Sequence, residues 1–167
     1  LGYRRSPMPE FEKLGGVVAK SPADVGAQTD IVLTCLPSSE ALDEVITGAH
    51  GLVHSARPSQ IVCELGSHPL GVKSRQIAPL AAKGAVFVDG EVSGTPGMVV
   101  ARKGVVFLGG DAAACKTLEP VMAGFADSCA YFGPFGAASK VKLVNNLLVS
   151  VHIAAAAEAM ALGLKAG

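Results

Sequence analysis

The sequence predicts an open, doubly wound α/β domain that ends in one long helix. Three observations carry this. Short, nearly continuous apolar runs alternate with segments bearing helix start signals, and the runs end in loops of proline, glycine and serine. After Gly136 the alternation stops and one helical run continues. A strand buried on both faces reads as an unbroken apolar run, and strand–helix alternation implies a mostly parallel sheet covered on both sides.

Taken in order, Gly16-Val17-Val18-Ala19 reads as a short extended segment. Ser21-Pro22-Ala23-Asp24 follows as an N-cap with proline in the first helical turn. Asp30 to Leu36 is a buried strand closed by Pro37, and Ser38-Ser39-Glu40 starts a helix to Ile46. Gln60 to Leu65 is the next buried strand, with a helix from Val72 to Lys83 that stops at Gly84. Ala85 to Asp89, Val105 to Leu108 and Ala130 to Phe132 read as further strands, with a helix from Asp111 to Met122 between the last two. The final helix spans 138–166, about 40 Å at 1.5 Å per residue.

At 167 residues, half of them hydrophobic and 17% charged, the chain holds enough apolar material for one packed domain. Fourteen basic and fourteen acidic residues cancel, which gives no electrostatic reason to expect nucleic acid or an anionic membrane as partner. Cys35, Cys63, Cys115 and Cys129 are widely spaced, and at least Cys35 and Cys63 fall in strand-like runs. They read as buried free thiols in a reducing, cytoplasmic setting. No histidine has metal-ligand spacing with another histidine or a cysteine, so no metal is expected. The apolar stretch from Leu147 to Leu164 is interrupted by His152 and Glu158 and reads as a buried helix rather than a membrane span.

In doubly wound sheets, ligands bind at the carboxyl ends of the strands. The loops there are Leu36-Pro37-Ser38, Gly66-Ser67-His68 and Val92-Ser93-Gly94. Ser93 offers a hydroxyl, and Gly94 offers a backbone N–H with room for an anion to approach. On the final helix Lys142 and Asn146 are four apart and share a face; the lysine is a mobile proton donor and the asparagine a fixed hydrogen-bonding group. Asn145 is expected to point elsewhere and to be structural. The bland alternatives are a solvated lysine and an ordinary turn at Thr95-Pro96-Gly97; Asp89 and Glu91, at the same strand end, are expected to be solvated loop carboxylates rather than a catalytic pair. Cys35 has no base nearby in sequence and is not expected to be a nucleophile.

These motifs, in this order, resemble those of the β-hydroxyacid dehydrogenases. Leu36-Pro37-Ser38 matches the family's strand-ending Leu-Pro-Ser. Asp89-Gly90-Glu91-Val92-Ser93-Gly94 matches its Asp-x-x-Val-Ser-Gly, and Gly133-Pro134-Phe135-Gly136 with Lys142-Leu143-Val144-Asn145-Asn146 matches its Gly-x-x-Gly and Lys-x-x-Asn-Asn. The resemblance implies a Rossmann-like NAD(P)-binding domain over 1–137, lacking its first strand–helix unit. The segment 138–167 would be a long interdomain helix opening an all-α domain. It implies Lys142 as general acid and base, Asn146 and Ser93 beside it, and Ser93, Gly94 and Thr95 holding the substrate carboxylate. Arg5, Leu36, Pro37, Ser38, Ser67 and His68 would contact the cofactor, NADP or NAD.

An arginine at the end of the second strand suits the 2′-phosphate of NADP, so Arg5 tilts the expectation that way. The sequence departs from the family at Thr95, where a second glycine is usual, at His68, where a threonine is common, and in lacking any Gly-x-Gly-x-x-Gly. The expected activity is hydride transfer between NAD(P) and a small β-hydroxyacid or its semialdehyde, in a full-length homo-oligomer. The alternative is a non-catalytic cofactor-binding module or an inactive fragment. An imine reductase is disfavoured by Lys142.

Overall fold

The computed structural model describes residues 1–167. Its frame is a five-stranded sheet in the order β1-β2-β3-β4-β5, with β1 Ile31–Thr34, β2 Ile61–Glu64, β3 Val86–Ser93, β4 Gly104–Gly109 and β5 Ala126–Tyr131. The first three strands are parallel, β4 is antiparallel to β3, and β5 is parallel to β4. The reversal follows from length. A parallel crossover needs about a dozen residues or more, and only residues 94–103, with one short helix, join β3 to β4. The carboxyl ends of β1, β2 and β3 therefore share one edge, as the sequence leads one to expect.

The helices are α1 Pro9–Lys13, α2 Pro22–Gln28, α3 Ser39–Thr47, α4 Leu70–Ser74, α5 Ile77–Ala81, α6 Pro96–Val100, α7 Ala112–Met122 and α8 Ala137–Ala166. Local chemistry fixes several starts: Ser21, Ser38 and Asp111 accept N–H bonds from Asp24, Ala41 and Ala114 to cap α2, α3 and α7. Val72 to Lys83 is two short helices rather than the single one expected. In a continuous helix the ring of Pro79 would meet the carbonyl of Arg75, four residues back; placed in the first turn of α5 it costs nothing. The expected strand at Gly16–Ala19 is reduced to one bridge between Gly2 and Val18, because Gly2 alone reaches it.

The sheet buries a core on each face. Cys63, Val88, Val106 and Leu108 pack against Cys115, Leu118 and Met122 of α7. On the other face Val32, Val62 and Phe87 pack against Leu42 and Ile46 of α3 and Leu80 of α5. The first turns of α8 lie on this second face, against β3 and β4. Gly136 makes that approach possible: its φ is +90°, and a Cβ there would lie 2.9 Å from Leu70.

Beyond Asn145 α8 leaves the sheet and is exposed, so the expectation of a buried helix does not hold for most of its length. By length and composition it is the one helix apolar enough to cross a membrane, with a mean hydropathy of 1.8 over its most apolar window. Cys35 also departs from expectation. β1 ends at Thr34, which leaves Cys35 beyond the strand and exposed, whereas Cys63 and Cys115 are buried. All four cysteines are free thiols.

Candidate active-site edge

β3 runs four residues past the Asp89 end that the sequence suggests, and this extension builds the site. Along one face its side chains are Phe87, Asp89, Glu91 and Ser93, two apart and hence on the same side. Phe87 belongs to the core, and the next three continue that line as polar groups. Asp89 and Glu91 are 0% and 1% exposed, so loop solvation does not describe them. Their neighbours explain this. The ammonium of Lys73, itself fully buried on α4, donates to Asp89 Oδ1 at 2.9 Å, Gly90 O at 2.9 Å and Glu91 Oε1 at 2.8 Å. All three lysine protons are thereby used.

The remaining carboxylate oxygens are also occupied. Ser139 in the first turn of α8 donates its N–H to Asp89 Oδ2 at 2.9 Å and its hydroxyl to Asp89 Oδ1 at 2.6 Å. Gly136 gives α8 no side-chain cap, so a carboxylate from β3, fifty residues away, caps the helix and meets the positive end of its dipole. Glu91 Oε2 accepts from Ser67 Oγ at 2.5 Å.

One strand over, Glu64 is paired in register with Asp89 and with Thr34. Its carboxylate accepts from Thr34 Oγ1 and, at 2.6 Å, from Gly66 N. The Nε2 atom of His68, whose side chain is 5% exposed, lies 3.4 Å from Glu64 Oε1. Sequence reasoning missed Lys73, Glu64, Asp89, Glu91 and Ser139. The available signal was the polar alternation Asp89, Glu91, Ser93 inside an apolar strand, which demands a buried cation.

Ser93, at the end of β3, accepts a hydrogen bond from Asn145 Nδ2 at 3.2 Å. The expectation that Asn145 points away is corrected: residues three apart on a helix are neighbours as surely as residues four apart, so Asn145 stands beside Lys142 and faces β3. Asn146 is exposed and its side chain makes no hydrogen bond, while Lys142 is half-buried. Gly94 has φ +148°, and a Cβ there would come within 3.3 Å of Gly104 Cα; glycine is required by the backbone whatever it binds. Thr95 caps α6 through Met98 N, so the presumed turn is a helix start and the threonine hydroxyl is already engaged.

Of the other predicted residues, Leu36, Pro37 and Ser38 follow β1 on the same edge. Leu36 is half-buried, Pro37 exposed, and the hydroxyl of Ser38 is held by Ala41 N. Arg5 pairs with Glu44 of α3 at the surface, and the carboxylate raises the guanidinium pKa. The Cys35 thiol is pushed up by desolvation and then by the nearby carboxylates of Glu64 and Glu91; it stays protonated and is a poor nucleophile. No cluster of His, Cys, Asp and Glu could hold a metal ion. A hollow of about 410 Å³ is lined by Ile77, Phe87, Asp111 and Phe135, and neither Ser93 nor Lys142 lines it.

Known proteins resemble this chain in sequence and in fold. The family model for the NAD binding domain of 6-phosphogluconate dehydrogenase matches residues 3–133. L-threonate dehydrogenase from Cupriavidus necator is 36% identical over 98% of this chain and 56% of its own length. Mitochondrial 3-hydroxyisobutyrate dehydrogenase from Rattus norvegicus is 31% identical over 95% of the chain and 47% of its own. Mycobacterium tuberculosis 3-hydroxyisobutyrate dehydrogenase, solved with L-serine, superposes with a TM-score of 0.90 at 26% identity, over 99% of this chain and 57% of that one. The chain thus spans about half the length of the curated relatives it matches.

Proposed function

We propose that this chain, which belongs to the family of the NAD-binding domain of 6-phosphogluconate dehydrogenase, is the cofactor-binding part of an oxidoreductase. The reaction is hydride transfer between NAD(P) and a small β-hydroxyacid or its semialdehyde. The observation that carries this reading is the 3.2 Å bond from Asn145 to Ser93, which sets the carboxyl end of β3 against the helix face bearing Lys142.

The chemistry at this corner would run through the chain's own groups. Ser93 Oγ and the Gly94 amide hold the substrate carboxylate, and Asn145 fixes the serine hydroxyl. Lys142 gives a proton to the carbonyl oxygen during reduction and takes it back during oxidation. Asn146, whose amide is unengaged, stands on the same helix for a further contact to substrate.

The edge formed by Leu36, Pro37 and Ser67, with the His68 side chain buried beneath it, combines apolar and hydroxyl surface at the carboxyl ends of parallel strands, which suits the nicotinamide and its ribose. When bound there, the cofactor would supply the hydride. No Gly-x-Gly-x-x-Gly occurs in this sequence, so the pyrophosphate is assigned to no residue here. Arg5 can serve a 2′-phosphate only by leaving Glu44, which limits the lean to NADP. Four free thiols support a cytoplasmic setting, and the exposed apolar side of α8 supports covering by the rest of the protein and by a second subunit.

Replacing Lys142 by Ala in the full-length protein tests the reading. Turnover should fall by about two to four orders of magnitude while the Kd for NADPH or NADH stays unchanged; near wild-type turnover would overturn it. A non-catalytic module is the second reading, favoured by the half-length match to the relatives. Titration of NADPH and NADH into the chain of 167 residues separates the two readings at the level of this polypeptide.

A further inference from the structure

We propose that Lys73 is a positioning residue: its buried ammonium is the node through which β3 holds the loop after β2 on one side and the start of α8 on the other. The inference rests on the dehydrogenase reading above. Two arms leave the node. Through Asp89 it reaches the N–H and hydroxyl of Ser139, three residues before Lys142 and six before Asn145 on the same helix. Through Glu91 it reaches the hydroxyl of Ser67, in the loop assigned to the cofactor. Gly90 O, the third acceptor, fixes the ammonium to the strand between the two carboxylates.

The charge arrangement explains why the cluster specifies a geometry. One lysine faces two carboxylates, which leaves one negative charge uncompensated in a site shielded from water. That charge is stabilised by the N-terminal dipole of α8 and the two donors of Ser139, which are available only when the helix begins at this spot. A buried ion cluster is seldom more stable than apolar packing of the same volume. Its effect here is on register: sliding α8 along β3 would strand a buried carboxylate. Lys142 and Ser93 hold their separation because Ser139 and Asp89 hold theirs, and transfer steps are sensitive to displacements of about 1 Å.

The arms can be cut separately in the full-length protein without removing the lysine. Ser139→Ala loosens the helix arm: it removes the hydroxyl bonds to Asp89 Oδ1 and Glu91 Oε1 and leaves the backbone N–H bond to Asp89 Oδ2; kcat should fall about tenfold while the Kd for NADPH and NADH, read by fluorescence titration, changes by less than about twofold. Glu91→Met releases the loop arm and leaves a one-to-one Lys73–Asp89 pair. Cofactor Kd should weaken about tenfold, with kcat at saturating cofactor within about twofold of wild type.

Lys73→Met should show both effects; where it does not fold, the two single-arm variants decide. Wild-type kcat and Kd in both, whatever their melting temperatures, would reduce the cluster to a structural element and overturn the proposal. Lys142→Ala keeps the two claims apart. An inactive Lys142→Ala beside unaffected Ser139→Ala and Glu91→Met sinks only the positioning role, whereas an active Lys142→Ala sinks the dehydrogenase reading itself.

Discussion

Two polar regions lie side by side at the carboxyl end of β3 and differ in almost every physical respect. The cluster of Lys73, Asp89, Glu91 and Ser139 is closed to water, and each of its charged groups has partners. The corner of Ser93, Asn145, Asn146 and Lys142 is open, with a single hydrogen bond between side chains. The closed cluster can only hold position. The open one has unspent donors. The closed cluster and the open corner thus meet along one strand face, within the five residues from Asp89 to Ser93.

The contrast is broken most severely by removing the buried cation. Lys73→Met should lower unfolding free energy by about 3–5 kcal/mol, because two carboxylates lose their counter-charge in a dry site. Lys142→Ala, by contrast, should change it by less than about 0.5 kcal/mol. Urea titration of both variants measures the difference, and equal losses would erase the distinction between the regions.

Gly94→Ala comes next. It forces an alanine to φ +148° with its Cβ near Gly104, and should cost about 1–3 kcal/mol in the same assay. That effect would belong to the backbone whether or not substrate binds there.

Asn145→Ala removes one hydrogen bond and should cost about 1 kcal/mol, while the exposed Asn146→Ala should leave stability unchanged. Comparable losses for both would mean that the helix face is set differently from the Asn145–Ser93 arrangement. Smallest of all, Glu44→Gln should leave the melting temperature unchanged, since the Arg5–Glu44 pair is solvated. It should tighten NADPH relative to NADH in a titration of the full-length protein by freeing Arg5.

A pH test sharpens the same contrast from the core side. Burial raises the Cys115 thiol to about 11 from an ordinary value of 9.0. The unfolded thiol ionises first, so stability is fully present below pH 9 and is lost as pH rises towards 11. Urea midpoints measured from pH 8 to 10.5 should fall, and replacing Cys115 by Ala should flatten that slope.

Much of the fold was legible because strands buried on both faces leave unbroken apolar runs, and because Ser21, Ser38 and Asp111 announce their helices locally. The loops at Leu36, Ser67 and Ser93 were legible for the same reason: each follows such a run. The break in the helix at Pro79 was visible in principle, since proline's ring excludes the carbonyl four residues back.

Non-local facts were hidden. The reversal of β4 depends on how far ten residues can reach, and the start of α8 depends on a carboxylate fifty positions earlier. Periodicity placed Lys142 and Asn146 on one face of a helix, but could not say which asparagine meets Ser93. By itself the sequence determined the α/β alternation, the candidate edge and the lysine-bearing helix, because these rest on local pattern and spacing. Only the tertiary structure decided that Asp89 and Glu91 are buried partners of Lys73 and that Asn145 faces the strand. Burial and pairing are properties of what lies across the gap, and no stretch of sequence contains its own neighbours.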